Sequence, residues 1–333
     1  MTLTASPDPR PHLVITNYVQ EEVIDLLSTF ARVTANRSQA PWSRSDLLEA
    51  ARYADGLLMF MPDYVDAQFL DQCPRLRSIA GALRGFDNFD LAACEAQGVR
   101  YRFIPNLLAA PTAELTVAML ISLARSMPAG DAFVRSGRFH GWRPKFYSKG
   151  VINSTVGILG MGQLGLEFAK RMQGFGATLL YSDPVPLDRT CEQRLELAHV
   201  EFNELLERSD HLVLMVPLDN DTQHLINSDV LTRCKPGAVL INPCRGSVVD
   251  ELAVVEALQS GHLAGYGADV FEMEDWARRD HPESIPQALL DQPDRTLLTP
   301  HIGSAVQTIR EDIAMTAALN LKALVLTTLS PIA

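Results

Sequence analysis

Thr155-Val156-Gly157-Ile158-Leu159-Gly160-Met161-Gly162-Gln163-Leu164-Gly165 decides how this chain folds. The first five residues form an apolar run with the length of a buried strand, and Leu164–Met172 continues at helical spacing. Between them the glycines occupy the places where a strand must turn sharply into a helix. Gly160 permits the tight turn, Gly162 lets the backbone approach a bulky anion, and Gly165 lets helix and strand pack closely. An anion lodged there meets free N–H groups and the positive end of a helix dipole. The glycine spacing alone is weak; a strand before it and a helix after it give it weight. The next apolar run, Thr178–Ser182, ends in Asp183. A carboxylate at that place accepts hydrogen bonds from both ribose hydroxyls of a dinucleotide and repels a 2′-phosphate, which favours NAD over NADP. The predicted cofactor set is Gly160, Met161, Gly162, Gln163, Leu164, Gly165 and Asp183, with Thr112, Pro217, Cys244 and Asp269 completing it.

Outward from this turn, short apolar runs alternate with helical patterns in both directions. Thr155–Leu159, Thr178–Ser182, His211–Val216, Ala238–Asn242, Gly265–Val270 and Thr296–Thr299 predict six strands with helical spacers, the count of a complete doubly wound dinucleotide domain. Upstream, His12–Thr16, Gly56–Met61, Arg77–Ala82 and Gly98–Ile104 read as strands, with a helix near Val19–Phe30. Pro111 opens a helical run over Thr112–Met127, where its missing N–H is harmless. Ser304–Leu329 reads as one long helix. The pattern predicts an α/β protein with two doubly wound, mostly parallel sheets.

At 333 residues the chain is long enough for two domains. Its 47% hydrophobic and 21% charged residues are those of a globular protein, not a disordered one. The polar, proline-rich start, Met1 to Pro11, lacks the pattern of a secretory signal. The apolar stretches near Leu115–Leu123 and Leu319–Leu329 are too short to span a bilayer. Five scattered cysteines without a metal-ligand pattern predict a reduced, cytoplasmic protein with neither a disulfide frame nor a metal site. The net charge of −11 argues against nucleic acid or an anionic membrane as partner. It also requires any site for a small anion to concentrate its own positive charge.

Three strand ends in the second half carry charge. Asn242-Pro243-Cys244-Arg245-Gly246-Ser247 follows one strand, Asp269 and Glu274 follow the next, and Thr299-Pro300-His301-Ile302-Gly303-Ser304 follows the last. Ligands of doubly wound sheets bind at the carboxyl ends of the strands, so Arg245, Glu274 and His301 are the predicted catalytic residues. A guanidinium holds a carboxylate or a phosphorus oxyanion through two parallel hydrogen bonds. Imidazole is the side chain best suited to proton transfer near neutral pH, and a carboxylate beside it fixes its orientation.

GMGQLG, NPCRGSVVDE, ADVFE and TPHIGS, in this order, resemble the D-2-hydroxyacid dehydrogenase family over about His12 to Leu326. The resemblance implies a substrate domain built from residues 1–108 and 304–333, with an NAD-binding domain of residues 109–303 inserted into it. It implies a homodimer, with the Arg135–Lys149 region reaching toward the partner. It gives substrate binding to Arg245 and proton handling to Glu274 and His301.

Further segments are similar to the phosphite-oxidising dehydrogenases within that family: FMPDYVDAQFL at Phe60–Leu70, GFDNFD at Gly85–Asp90, PTAEL at Pro111–Leu115, DAFVRSGRFHGWRPKFY at Asp131–Tyr147, and DVFEMEDWAR. Hydroxyacid relatives usually carry proline beside the glutamate of the last segment. This likeness implies phosphite as substrate, held by Arg245, Arg84 and Gly85, with Arg310 as a further cation and Met61, Trp142 and Tyr147 lining the site. Arg84 stands where those enzymes have lysine, which keeps charge but changes geometry. Three arginines suit a dianion. The chain ends at Ser330–Ala333, short of the usual tail, so less cover over the substrate domain is expected. The alternatives are a D-2-hydroxyacid dehydrogenase or glyoxylate/hydroxypyruvate reductase and, more remotely, an NAD-sensing binding module.

Overall fold

The computed structural model describes residues 8–104, 106–278 and 280–329. The expectations about a leader and a shortened tail rest partly or wholly on residues outside these. The chain forms two compact units, Met1–Leu108 with Val306–Ala333, and Ala109–Ala305.

In the first unit the apolar runs become parallel strands. These are β1 (His12–Ile15), β2 (Arg32–Ala35), β3 (Gly56–Met59), β4 (Ser78–Gly81) and β5 (Arg100–Arg102), in the order β2-β1-β3-β4-β5. β3 and β4 are buried along their whole length, as strands covered by helices on both faces must be. The edge strand β2, Arg-Val-Thr-Ala, was not expected. Its four residues alternate between exposed and half-buried, too short a run for periodicity to mark. Asp66 and Asp90 cap the helices Ala67–Gln72 and Leu91–Ala96, accepting from Phe69 and Ala93 N–H. The C-terminal helix, Gln307–Leu329, returns to this unit and buries Ile313, Ala317 and Leu321 against Leu13, Ile15 and Leu58.

The second unit holds seven parallel strands: β6 (Thr155–Leu159), β7 (Thr178–Ser182), β8 (Leu197–His199), β9 (His211–Leu214), β10 (Ala238–Asn242), β11 (Leu263–Ala268) and β12 (Thr296–Leu298). Their order is β12-β11-β10-β9-β6-β7-β8. Six were expected; β8, a three-residue edge strand, is the addition. The order reverses between β6 and β9, and that switch point opens a crevice at the carboxyl ends. The expected single helix over Thr112–Met127 is two. Ala109–Ala124 and Met127–Arg135 meet at a bend of 66°, where Ser126 takes a left-handed φ of 51°. Among the described residues no single helix is long and apolar enough to cross a membrane.

The helix Gln163–Met172 buries Phe168, Ala169 and Met172 against Val156, Ile158, Tyr181 and Val213, so the glycine turn is anchored by packing on both sides. Phe168 is wholly buried. Phe168→Ala should cost about 3–5 kcal/mol, the range for truncating a buried phenylalanine. Urea unfolding followed by circular dichroism checks this, as an earlier transition of the second unit.

Candidate active site

The glycine turn has the geometry that its sequence requires. Gly160 lies at φ +94°, and a Cβ there would come 2.8 Å from the Met215 carbonyl carbon and oxygen. A Cβ on Gly165 would come 2.5 Å from the Gly160 carbonyl oxygen, so helix and turn are in direct backbone contact. A Cβ on Gly162 would meet nothing within 4 Å, which leaves this side open for a ligand to approach. Gly162 is also the N-cap of the helix, and no side chain caps the N–H groups of its first turn. The exposed Gln163 and half-buried Leu164 follow it. Asp183, at the end of β7, accepts from Met161 N–H (2.7 Å) and Val185 N–H (2.9 Å), which fixes its carboxylate beside the turn. An open glycine face, an uncapped helix start and a fixed aspartate together fit the pyrophosphate and ribose of NAD.

Arg245 follows β10 on a turn braced from beneath. The buried Asn242 amide donates to the Arg245 carbonyl (2.8 Å), and its oxygen accepts from Cys244 N–H (3.1 Å). Cys244 is itself buried, and burial pushes its thiol up to about 12, which makes it a packing group and not a nucleophile. After Arg245 comes Gly246, the tightest point of the site. A Cβ here would lie 1.9 Å from the Phe271 carbonyl carbon and 2.1 Å from Glu272 N. The turn carrying Arg245 and the turn carrying Glu274 therefore meet backbone to backbone, and only glycine allows it.

Glu274 divides its carboxylate. One oxygen accepts from Phe271 N–H (2.8 Å), and the other pairs with His301 Nδ1 (2.8 Å). Because a carboxylate only accepts, Nδ1 carries the proton and Nε2 is the nitrogen left for chemistry. His301 sits at φ 54°, a left-handed conformation uncommon outside glycine. Asp269, 1% exposed, holds the turn in that state. It accepts from the Thr299 hydroxyl (2.5 Å), Ile302 N–H (2.8 Å) and Gly303 N–H (2.7 Å). Burial raises the Asp269 carboxyl above its ordinary range, against the pull of those donors. A Cβ on Gly303 would press on Thr112 Oγ1 at 2.9 Å and Asp269 Oδ2 at 3.0 Å. The structure thus joins Glu274 to His301 and locks the Arg245 turn against the Glu274 turn. It gives Asp269, expected at the cofactor, a bracing position under the His301 turn.

The other expected residues fall in different surroundings. Pro217 is exposed after β9, its carbonyl accepting from Thr222 Oγ1 (2.7 Å). Thr112 packs under Gly303, and its carbonyl accepts from Thr116 Oγ1 (2.7 Å). In the first unit, Arg84 and Gly85 are half-buried on the loop after β4. Burial alone draws the Arg84 guanidinium below its ordinary value, and no described carboxylate pairs with it. Arg310, near the start of the C-terminal helix, is likewise drawn down by burial. The Met61 carbonyl accepts from Asn88 Nδ2 (3.0 Å). Trp142 and Tyr147 are 76% and 79% exposed, so within this one chain neither ring is packed into a site.

Sequence reasoning missed Asn242, Gly246, Asp275 and Glu251, none of which carries chemistry of its own. Asp275 accepts from Ser247 N–H (2.7 Å). Glu251 and Glu272 exchange bonds, each accepting from the other's backbone N–H (3.0 and 3.2 Å). The second oxygen of Glu251 is buried without a partner among the described residues, and burial pushes this carboxyl up to about 7.

Residues 117–303 match the family model described as D-isomer specific 2-hydroxyacid dehydrogenase, NAD binding domain. A glyoxylate reductase of Thermococcus litoralis is 35% identical over 94% of this chain and 93% of its own length. Among solved structures, the TT0316 protein of Thermus thermophilus superposes with a TM-score of 0.84 at 33% identity, covering 95% of this chain and 97% of that one. D-Lactate dehydrogenase of Aquifex aeolicus, complexed with NAD and lactic acid, superposes at 0.82 with 26% identity, over 96% and 97%. The chain belongs to the D-isomer specific 2-hydroxyacid dehydrogenase family. It is an NAD-dependent oxidoreductase, and the expected fold and cofactor stand. Two of these three are named for glyoxylate and lactate and none for phosphite, so the comparisons do not support phosphite specifically.

Gly246→Ala should reduce turnover by more than about 100-fold, the scale on which misplaced catalytic groups lose rate. NADH affinity, measured by fluorescence, should stay within a few-fold. Glu251 predicts a pH dependence of stability. Its carboxyl has an ordinary value of 4.5 and is pushed to about 7 in the folded chain, so the unfolded chain loses this proton first. Stability from the neutral form is full below the lower value and is lost as pH rises through the higher one. Glu251→Gln, which cannot ionise, should match the wild-type Tm in acid and exceed it above neutrality in a thermal-unfolding pH series.

Proposed function

We propose that this enzyme oxidises phosphite to phosphate, with Arg245, Glu274 and His301 as its catalytic residues. The observation that carries the catalytic assignment is the His301–Glu274 pair at 2.8 Å, on a turn held against the one that presents Arg245. Arg245 holds phosphite oxygens through its planar fork. His301 accepts a proton from water at Nε2, while Glu274 keeps Nδ1 protonated and stabilises the imidazolium that forms. The water oxygen bonds to phosphorus, and the P–H bond breaks with its electron pair leaving as hydride. The second water hydrogen stays on the product, hydrogen phosphate. NAD, when bound, supplies the hydride acceptor.

Phosphite as substrate is supported by the segments that resemble phosphite-oxidising dehydrogenases, GFDNFD at Gly85–Asp90 and DVFEMEDWAR among them. Arg84 adds a half-buried cation with no carboxylate partner among the described residues, in a protein of net charge −11. We also assign Arg310, Gly85 and Met61 to substrate binding. A homodimer is part of the proposal, with the exposed Phe139, Trp142 and Tyr147 reaching toward a second copy.

A second reading is reduction of glyoxylate or a related 2-oxoacid, with His301 as the acid that protonates the carbonyl oxygen. The name of the 35%-identical relative favours it, and the comparisons support it better than they support phosphite. The same three residues serve either reaction. The purified protein should form NADH from NAD and phosphite faster than it consumes NADH with glyoxylate. Arg245→Ala and His301→Ala should each lower turnover by about 10²–10⁴-fold, the scale of lost acid–base or anion-stabilising groups, with NADH affinity kept. Glyoxylate turnover with silence toward phosphite would establish the second reading. Full activity in either variant would overturn the catalytic assignment.

A further inference from the structure

Glu272, Glu274 and Asp275 put three carboxylates on one short segment, against the turn that presents Arg245. A site for an anion is ill placed beside so much negative charge unless a cation offsets it. Arg278 closes the same segment. Its side chain is only 11% exposed. Nη1 donates to the Ser247 hydroxyl (2.6 Å) and to Glu272 Oε2 (2.9 Å), while Nη2 pairs with Asp280 (3.1 Å). Ser247 lies just beyond Arg245 and Gly246, and Glu272 just before Glu274. One guanidinium nitrogen therefore bridges the two turns that meet at Gly246. His224 also spans the two turns, through Nε2 to Glu272 Oε2 (2.7 Å) and its backbone N–H to the Ser247 carbonyl (2.7 Å), but its imidazole is charged only when protonated. Arg278 is charged at every working pH.

We infer that Arg278 is a positioning residue, which fixes the Arg245 turn against the Glu274 turn and offsets the carboxylates beneath them so that an anionic substrate is held. It touches neither substrate nor cofactor in this account; it acts through Arg245 and Glu274. The inference rests on the proposed function only in taking the substrate to be a small anion. Two separable effects follow. The charge of Arg278 governs affinity for the anion. Its planar fork, anchored on Asp280 through Nε (3.3 Å) and Nη2 (3.1 Å) so that Nη1 spans Ser247 and Glu272, governs alignment and hence kcat. Lysine supplies the charge but not the fork, and methionine supplies neither while filling similar space.

The test is calorimetric titration of phosphite into the NADH-saturated enzyme, with steady-state kinetics alongside, for wild type, Arg278→Met, Arg278→Lys and Ser247→Ala. Arg278→Met should weaken phosphite binding about tenfold or more and lower kcat, with NADH affinity within twofold. Arg278→Lys should recover most of the binding and little of the kcat. Ser247→Ala should lower kcat about threefold at unchanged phosphite affinity. A folded Arg278→Met variant within twofold of wild type in both quantities overturns the inference, as does equal binding by the methionine and lysine variants. If Arg278→Met does not fold, the lysine and Ser247→Ala results decide: wild-type kcat in both overturns it. If wild type neither binds nor oxidises phosphite, the substrate reading has failed instead. The same variants are then measured with glyoxylate, where a tenfold rise in KM for Arg278→Met supports the inference and an unchanged KM overturns it.

Discussion

The candidate site depends on a backbone contact that no side chain could make. Where Gly246 meets Phe271 and Glu272, two turns from neighbouring strands approach until a single methyl group would lie 1.9 Å from a carbonyl carbon. That approach sets how far Arg245 stands from the segment bearing Glu274. The parallel pairing of β10 with β11 delivers both turns to the same end of the sheet. β12, paired to β11, delivers the His301 turn to that end as well. Three consecutive strands thus present a cation, a carboxylate and an imidazole side by side, with the cofactor turn after β6 on the same sheet.

Holding such a cluster requires charge to be buried and managed. Asp269 is almost wholly inaccessible, yet two backbone N–H groups and a hydroxyl satisfy it and keep His301 in its left-handed conformation. A left-handed conformation at a non-glycine residue persists where surrounding bonds over-determine it, and those three bonds do so here. Glu272 is shared between a histidine, an arginine and a backbone amide. Glu251, whose second oxygen has no donor among the described residues, is kept nearer to neutrality by its burial. The carboxylates beneath the turns are thus met locally, Glu272 by Arg278 and Asp269 by hydroxyl and backbone donors.

The residues proposed to act chemically stood out in the sequence, and most of those that brace them did not. The glycine turn announces itself because a strand, a close approach to phosphate and a helix start each constrain residue type at fixed spacing. Arg245, Glu274 and His301 stand out because charge at the end of a buried strand is costly without a use. Asp269 stood out by the same argument, while the three bonds by which it braces the His301 turn could not be read from its place at a strand end. Gly246 looked like any glycine after an arginine, since its requirement comes from a segment some 25 residues later, and spacing is blind to that. The edge strands β2 and β8 escaped because three or four residues cannot display a period. The break at Ser126 escaped because nothing in its neighbours signals a left-handed residue.

Family, fold and cofactor follow from the chain and its relatives, and the substrate is fixed by the source of the transferred hydride. The decisive measurement is isotope transfer. The enzyme is given NAD and phosphite whose phosphorus-bound hydrogen is replaced by deuterium, and the NADH is recovered and analysed by mass spectrometry. The account predicts one deuterium in each NADH formed, matched by one phosphate. NADH without deuterium, or no NADH from phosphite while glyoxylate is reduced, would contradict it.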